Sequence, residues 1–375
     1  MPSGKDAMDR RGVLVAGGAA LLTAAVPIRA AGGATVTLVV GTYAREGGAG
    51  LYPVTLDVAN GGWRVGTAVA GAVDASFGVR SRLVAGRRYL LEEGADGHAG
   101  LWDATAGWVR RARFPTLGAD PCHAALDARE TSLAIANYSS GNVVLYRLDP
   151  ATGAPIGMPT VRTGAGRGPN VARQEGPHAH WVGFSPDQRW LHSVDLGSDS
   201  ILSFPFVDGR IGDAITGYAA PGGSGPRHLL FHPTLPLAYL VSEMANRVTV
   251  LRVQGGGRFV AVQDASTLPV GFGGASQAAH IAIDRAGRTL YVSNRGHDSI
   301  AVYAIDAGGG IMLREHVATR GSWPRFFLLI DEARRLVVAN ERAGELVAFA
   351  VGGDGGLTPV GGAAKVPGAV FIDRA

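Results

Sequence analysis

The sequence predicts an all-β fold, a seven-bladed β-propeller with four-stranded antiparallel blades. Six stretches repeat one phrase: a polar entry, an apolar run, a turn, and a second apolar run that ends in a small polar or acidic residue. The closing residues recur about every 44–58 positions, the spacing expected for propeller blades. These closing residues are Glu93, Asn137, Asp195, Glu243, Asn294 and Asn340.

The two ends of the chain supply the seventh blade. Thr35–Tyr43 and Gly50–Asp57 match the second and third strands of a blade that lacks a first strand, and Ala369–Asp373 matches a first strand with nothing after it. Joining the N- and C-terminal strands in one blade closes the ring and removes open sheet edges. We therefore expect a single domain over residues 34–375.

Composition agrees with this fold and narrows the function. The chain is 46% hydrophobic, and its 56 Gly and 20 Pro stand between short apolar runs, as in turn-rich β-proteins. Its net charge of +4 is spread over scattered arginines without a basic run, so nucleic-acid binding is not expected. The single cysteine, Cys122, excludes an internal disulfide and a multi-cysteine metal site, and we expect neither a metal nor another cofactor.

Residues 1–31 are predicted to form a twin-arginine-type signal peptide. Arg10 and Arg11 precede the Gly/Ala-rich apolar run 13–28, and Ile28-Arg29-Ala30 is an acceptable cleavage site. The run is short for a membrane span. We expect a periplasmic or secreted protein without stable membrane insertion after cleavage, with an uncleaved anchor as the alternative.

The repeat also predicts where a functional site lies. In a blade the first strand lines the channel and the second returns beside it, so entry and closing residues meet on one face. Four histidines are assigned to one repeat phase, and Arg227 is expected at a solvent-accessible channel mouth. The predicted pocket is polar and mostly cationic, and its members are His123, His178, His180, Asp195, Arg227, His228, Glu243, His280, Arg295 and Arg325.

The residue types of this pocket favour anion binding and proton transfer. Arginine forks hold carboxylate or phosphate, and histidine titrates near neutrality. A polar channel lining without function is the alternative. Cys122 and His123 are not expected to form a nucleophile–base pair, because adjacent strand residues point to opposite faces.

Several phrases between Thr37 and Phe371 are specific enough to indicate a family. They are PCHAALD, GPHAHWVGFSPD, DLGSDSI, GPRHLLFHP, VSE and YVSNRGHDSIAVY. Together they resemble the seven-bladed lactonase family, typified by bacterial propeller-type 6-phosphogluconolactonase and fungal carboxy-muconate cyclase. The resemblance implies hydrolysis or formation of a lactone on an anionic substrate, with no metal required. The catalytic set that it implies is His180 (or His178), Arg227, Glu243 and Arg295.

The chain departs from that family's pattern at two places. His280 stands where the family commonly has Glu, and Arg325-Phe326-Phe327 lacks the amide of the family's P-R-N-F phrase. Both changes alter the substrate-facing rim, so the substrate need not be 6-phosphogluconolactone.

We expect a lactonase that opens a sugar or another anionic lactone. His180 would act as the base, Glu243 as an orienting carboxylate, and Arg227 and Arg295 as holders of the substrate anion and the oxyanion.

The ligand expected is a small anionic lactone or an aldonate, bound by a monomer. The alternatives are a non-catalytic extracytoplasmic propeller that binds a small anionic solute or a protein, and isomerase or cyclase chemistry at the same residues. The remaining members of the pocket are expected to contact the substrate: His123, His178, Asp195, His228, His280 and Arg325.

Overall fold

The computed structural model describes residues 34–375, which form seven antiparallel sheets arranged as propeller blades. The predicted signal peptide, residues 1–31, lies outside the described residues. We number the strands in chain order and the blades 1 to 7, starting with the blade that holds both ends of the described chain. From blade 2 round to blade 1, consecutive innermost strands contact one another. The seven-bladed prediction is thus confirmed.

The strands are given by their position in a blade, from the axis outward. The innermost strands of blades 2 to 7 and then of blade 1 are β4 (Gly78–Arg80), β8 (Pro121–Leu126), β12 (Ala179–Phe184), β17 (Pro226–Phe231), β21 (Gln277–Ile283), β25 (Pro324–Ile330) and β29 (Ala369–Arg374). The second strands, in the same order, are β5 (Arg87–Glu92), β9 (Ser132–Asn137), β13 (Trp190–Asp195), β18 (Leu237–Ser242), β22 (Thr289–Arg295), β26 (Arg335–Asn340) and β1 (Thr35–Thr42).

The outer half of each blade follows the same order. The third strands are β6 (His98–Asp103), β10 (Asn142–Leu148), β14 (Ser200–Val207), β19 (Arg247–Gln254), β23 (Ser299–Ile305), β27 (Glu345–Val351) and β2 (Leu51–Asp57). The outer strands are β7 (Val109–Pro115), β11 (Pro155–Thr163), β16 (Ile215–Ala219), β20 (Arg258–Ser266), β24 (Ile311–Ala318), β28 (Leu357–Lys365) and β3 (Trp63–Val65), and a short β15 (Arg210–Ile211) also pairs with β14.

Helix is almost absent from the described chain. Three short 3₁₀ helices occur, at Ala44–Glu46, Gly255–Gly257 and Asp331–Ala333. None of the helices within residues 34–375 is long and apolar enough to cross a membrane.

Blade 1 joins the two ends of the described chain, as the sequence predicts. Strand β29 pairs antiparallel with β1, so that Val40 lies opposite Ile372 and Gly41 opposite Phe371. Val40, Ile372 and Phe371 are buried. The ring is therefore closed by backbone hydrogen bonds and by apolar packing between residues that are more than three hundred positions apart.

Adjacent blades are also tied together by buried side-chain hydrogen bonds. On one face, tyrosines of second strands donate to a glycine carbonyl of the next blade; Tyr89, for example, donates to Gly153 over 2.7 Å. On the other face, the Nδ2 group of Asn137 donates to the Thr116 carbonyl, just past the outer strand of the preceding blade, over 2.9 Å. Asn294 and Asn340 repeat the second contact with Thr267 and Thr319. The closing asparagines of the repeated phrase are therefore inter-blade braces.

We predict that Asn137→Ala destabilises the fold. The Asn137 amide also donates to Asn142 over 2.7 Å, and the side chain is fully buried, so its removal leaves acceptors without partners. The free energy of unfolding should fall by about 1–3 kcal/mol, measured by urea denaturation. Asn60→Ala, in an exposed turn, is the control. An equal loss in both variants would contradict the bracing role.

Candidate active site

A β-bulge occurs near the start of the innermost strand in six of the seven blades of residues 34–375. In blade 4, for example, Ala179 pairs with Asp195 and Trp181 with the next residue, Val194, so His180 is left unpaired. A bulge leaves its extra residue outside the ladder and re-aims side chains. The bulged residues are Cys122, His180, Arg227, Ala279 with His280, Arg325 and Val370.

The bulges correct the predicted alignment of the histidines. His180 is itself a bulged residue and is equivalent to Arg227, whereas His123 and His228 lie one position further along their strands. The four histidines therefore do not share one repeat phase. Inside a bulge, moreover, adjacent residues need not point to opposite faces. The sequence does not reveal the bulge because the extra residue lies at the entry of the strand, before the apolar run begins.

The structure also changes which residue at the end of the second strand faces the bulge. The backbone N–H of Glu243 donates to Gly225, just before the innermost strand of its blade, and Glu341 donates in the same way to Trp323. Glu243 is thus equivalent to Glu341 and lies one residue past the true strand end, Ser242. The residue after the strand end, rather than the closing residue, is the one placed beside the bulge.

Glu243 is the centre of a charged cluster. Its Oε2 lies 3.1 Å from Nε of Arg227 and 2.7 Å from a terminal nitrogen of Arg295. Its Oε1 lies 2.7 Å from Arg173, and Nε2 of His180 is 4.0 Å from Oε2. These five residues are called the Glu243 cluster below. The structure thus brings together all four residues of the predicted catalytic set.

Backbone carbonyls hold two of the arginines in place. Arg227 donates to the Ala279 carbonyl over 2.7 Å, and Arg295 donates to the Ala278 carbonyl over 3.2 Å. Arg227 is only 3% exposed, so the expectation that it is solvent-accessible is wrong. It is buried because blades 5 and 6 pack around it, and the Glu243 carboxylate compensates the charge.

The cluster fixes the protonation of its two central groups. Burial alone would raise the pKa of Glu243, but the nearby charges of Arg295 and Arg227 outweigh it and hold that pKa well below its usual range. Burial, reinforced by Arg227, lowers the pKa of His180 well below 6.5. At neutral pH the site therefore presents an ionised carboxylate beside an uncharged imidazole.

Arg173 and Tyr138 belong to this site, although the repeat did not indicate them. Arg173 comes from the connection between β11 and β12, and it also donates to the Tyr138 hydroxyl over 3.3 Å. The Tyr138 ring stacks on His178 at 4.6 Å, and it meets the ring of His180 edge-on at 5.4 Å. Tyr138 occupies the same post-strand position as Glu243, which is the one signal that could have identified it.

Arg325 and Asp195, two further members of the predicted pocket, contact residues other than Glu243. Arg325 donates to the Tyr43 hydroxyl over 2.9 Å, and Tyr43 in turn donates to Glu93 over 2.8 Å, which links blades 7, 1 and 2. Asp195 is buried and accepts hydrogen bonds from the backbone of His178 and Ser198. Neither residue contacts Glu243, and Asp195 acts on the site by holding the backbone that leads to His180.

The remaining predicted histidines belong to a ring of aromatic side chains. Nε2 of His228 accepts a hydrogen bond from Arg227 over 3.0 Å, and the His228 ring lies 5.5 Å from each of His123 and His280. Continuing contacts close the circle, and Trp181 packs against His123. We call this ring the aromatic belt; its members are Phe77, His123, His228, His280, Phe326 and Phe371.

Cys122 lies beside His180 rather than beside its sequence neighbour. Its Sγ is 4.0 Å from Nδ1 of His180 and 3.5 Å from the Ala179 carbonyl. Burial raises the pKa of the thiol, so the nucleophilic thiolate is disfavoured. Cys122 therefore packs behind His180 as a neutral group.

The side chains of residues 34–375 contain no group of three or more His, Cys, Asp or Glu that could hold a metal ion. The polar chemistry of the Glu243 cluster is thus that of arginine, carboxylate and imidazole. Such a set can bind an anion, stabilise negative charge on oxygen and accept a proton.

Comparisons with known proteins identify the family of the fold. Residues 37–373 match the family model described as "Lactonase, 7-bladed beta-propeller". The 6-phosphogluconolactonase of Bacillus subtilis is 33% identical over 319 residues, which cover 83% of this chain and 89% of that protein.

Solved structures give the same result. A periplasmic gluconolactonase of Pseudomonas aeruginosa superimposes with a TM-score of 0.83 at 26% identity, covering 91% of this chain and 99% of the other. A protein from Lactobacillus plantarum gives a TM-score of 0.83 at 27% identity, with 91% and 99% coverage.

We predict that Glu243→Gln destabilises the fold in a pH-dependent way. Without the carboxylate, the buried arginines lose their counter-charge, which should cost about 3–5 kcal/mol near neutral pH. The pKa of Glu243 is lower in the folded than in the unfolded chain, so its stabilisation is full above the unfolded pKa and is lost as pH falls toward the folded pKa. The gap between wild type and variant, measured by urea denaturation, should therefore narrow below about pH 4.3.

Glu345→Gln is the matched control for that experiment. Glu345 pairs with the exposed Lys365 at the surface, where one ion pair contributes about 1 kcal/mol or less. A gap for Glu243→Gln that stays constant across this pH range would contradict the assignment of an ionised Glu243.

Proposed function

Because the chain belongs to the seven-bladed β-propeller lactonase family, we propose that it hydrolyses a lactone at the Glu243 cluster. The cluster lies where the innermost strands begin, which we take as the mouth of the central channel. The reaction class follows the relatives, and the assignment of residues follows the geometry of this chain.

The observation that carries the proposal is the arrangement of the cluster, in which the His180 imidazole lies 4.0 Å from a carboxylate that is shared by the buried guanidinium groups of Arg227 and Arg295. Nε2 of His180 makes no hydrogen bond to any protein group within residues 34–375, and the ring is neutral because of the lowered pKa of His180. A neutral imidazole with an unoccupied ring nitrogen can accept a proton. Buried guanidinium groups at the same site can stabilise the anion that forms when water attacks a carbonyl.

The proposed reaction proceeds in two proton transfers. His180 takes a proton from water as the water oxygen bonds to the lactone carbonyl carbon, which places negative charge on the carbonyl oxygen. Arg227 and Arg295 stabilise that oxyanion. The carbon–oxygen bond of the ring then breaks, the proton passes from His180 to the departing ring oxygen, and the hydroxy acid is released. Glu243 stays ionised and orients the arginines.

The substrate is proposed to be a sugar lactone or another anionic lactone. The two departures from the family pattern contact each other, because the ring of His280 stacks on Phe326 at 4.0 Å. In the aromatic belt one aromatic pair thereby replaces an acid and an amide, so the substrate need not be 6-phosphogluconolactone.

We further propose that the chain is exported and acts outside the cytoplasm as one domain over residues 34–375. Arg10 and Arg11 before a short apolar run support twin-arginine export. The similar protein from Pseudomonas aeruginosa is described as a periplasmic gluconolactonase. A sugar lactone available in the periplasm would suit both observations.

Lactone opening tests the proposal directly. Wild type should accelerate the hydrolysis of at least one member of a panel of sugar and acyl lactones. For that substrate, His180→Ala should lower kcat/KM by about 10²- to 10⁴-fold through loss of the base. Arg227→Lys should lower it roughly 30- to 1,000-fold, because lysine cannot replace the guanidinium fork. Circular dichroism verifies that both variants are folded.

Arg285→Lys is the control, because Arg285 is exposed in a turn between strands β21 and β22. Equal activity of Arg227→Lys and Arg285→Lys on a verified substrate would place the site elsewhere. Thermal stabilisation by gluconate with no lactone opened by wild type would instead support a non-catalytic solute-binding propeller.

The pH profile supplies a separate test. Burial and Arg227 keep the pKa of His180 well below 6.5, so the base remains neutral across the physiological range. The value of kcat/KM, corrected for spontaneous hydrolysis, should therefore stay flat from about pH 8 to about pH 6.5 and fall only at lower pH. An acidic limb with its midpoint at or above the ordinary histidine pKa would exclude His180 as the base.

A further inference from the structure

Arg173 differs from the other two arginines of the Glu243 cluster. Arg227 and Arg295 are held by backbone carbonyls, and each side chain is no more than 5% exposed. The Arg173 side chain is 35% exposed, and its hydrogen-bond partners within residues 34–375 are Glu243 and the Tyr138 hydroxyl. It is therefore the arginine that can turn toward a ligand without breaking the fold.

The connection that carries Arg173 is anchored by the neighbouring Gln174 and by backbone hydrogen bonds, not by the Arg173 side chain. Gln174 is fully buried, and its Nε2 donates to the Leu196 carbonyl over 2.9 Å. The backbone N–H groups of Arg173 and Gln174 both donate to the Asn170 carbonyl. This anchoring fixes the Arg173 backbone at the edge of the site and leaves only the side chain to move.

The charges of the cluster are unbalanced. Three guanidinium cations face the single carboxylate of Glu243, and His180 is neutral because of its lowered pKa. Within residues 34–375 no other carboxylate lies within 4.0 Å of these three guanidinium groups, and Glu341 acts on Arg295 only from farther away. A partly buried excess of positive charge favours the binding of an anion.

We propose that Arg173 is a specificity-determining residue that leaves Glu243 to bind the anionic group of the substrate. This inference rests on the proposed lactonase function and names its substrate class: lactones that carry a phosphate or carboxylate, distinguished from neutral lactones. Arg227 and Arg295 remain on Glu243 when Arg173 moves, so the carboxylate keeps a counter-charge throughout.

A matched pair of substrates tests the inference. 6-Phosphoglucono-δ-lactone and glucono-δ-lactone differ only by the phosphate. Arg173→Gln should raise KM and lower kcat/KM for the phosphorylated lactone by about 10- to 100-fold, and should change kcat/KM for the neutral lactone by less than about threefold. Arg173→Lys should recover part of the loss, because it restores a positive charge.

Arg167→Gln is the control, because Arg167 is exposed in the same connection and has no place in the cluster. It should leave both substrates unchanged, which excludes a general effect of surface charge. Equal losses on both lactones for Arg173→Gln would mean that Arg173 only positions Glu243, and no loss on either would exclude any role. Both results overturn the inference.

Failure of the lactonase function has a different signature. The proposed function fails only if wild type opens no member of the lactone panel. If wild type opens neither of these two lactones, calorimetric titration with 6-phosphogluconate and gluconate tests Arg173 alone. Wild type should bind 6-phosphogluconate more tightly than gluconate. Arg173→Gln should weaken the binding of 6-phosphogluconate by about 10- to 100-fold. Equal or absent binding of the two acids by wild type would overturn the inference.

Discussion

The repeated bulge in the innermost strands is the constraint from which the site follows. On either side of the bulge the strand is held in register by its pairing with the second strand, so the extra residue cannot slide away. Repetition around the axis places His180 and Arg227 at one level and His123 and His228 at the next. One backbone irregularity thereby produces both the Glu243 cluster and the aromatic belt.

Burial of the Glu243 cluster shifts the pKa values of its residues, and it also costs folding free energy. Removing an Arg–Glu pair from water costs free energy that the attraction between the charges only partly returns. In this chain the remaining cost is offset by carbonyl acceptors on the backbone of blade 6, at Ala278 and Ala279. Because those carbonyls belong to a bulged strand, the same irregularity that presents the side chains also provides their acceptors.

Much of the fold and the centre of the site could be predicted from the sequence. The apolar phrase repeats with enough regularity to count the blades, and blade 1 could be assembled from Thr35–Tyr43 and Ala369–Asp373. The four members of the predicted catalytic set meet at Glu243 because equivalent positions gather around one axis. The lactonase resemblance is confirmed by the family model.

The remainder could not be predicted, for physical reasons. The bulge lies at the entry of the strand, ahead of the apolar run that defines the repeat, so the bulge and the correct phase of His180 stayed hidden. Arg173 lies in a connection that belongs to no repeat, and only the folded chain brings it across to blade 5. The burial of Arg227 depends on packing between blades, which a strand pattern does not encode.

The aromatic belt has a consequence for molecular traffic. Its rings touch in a closed circle at centroid distances of 4.0–5.5 Å and thereby constrict the passage along the axis. For the lactonase function proposed above, substrate and product would then share the opening on the Glu243 side, and an accumulating product would obstruct the arrival of the next substrate.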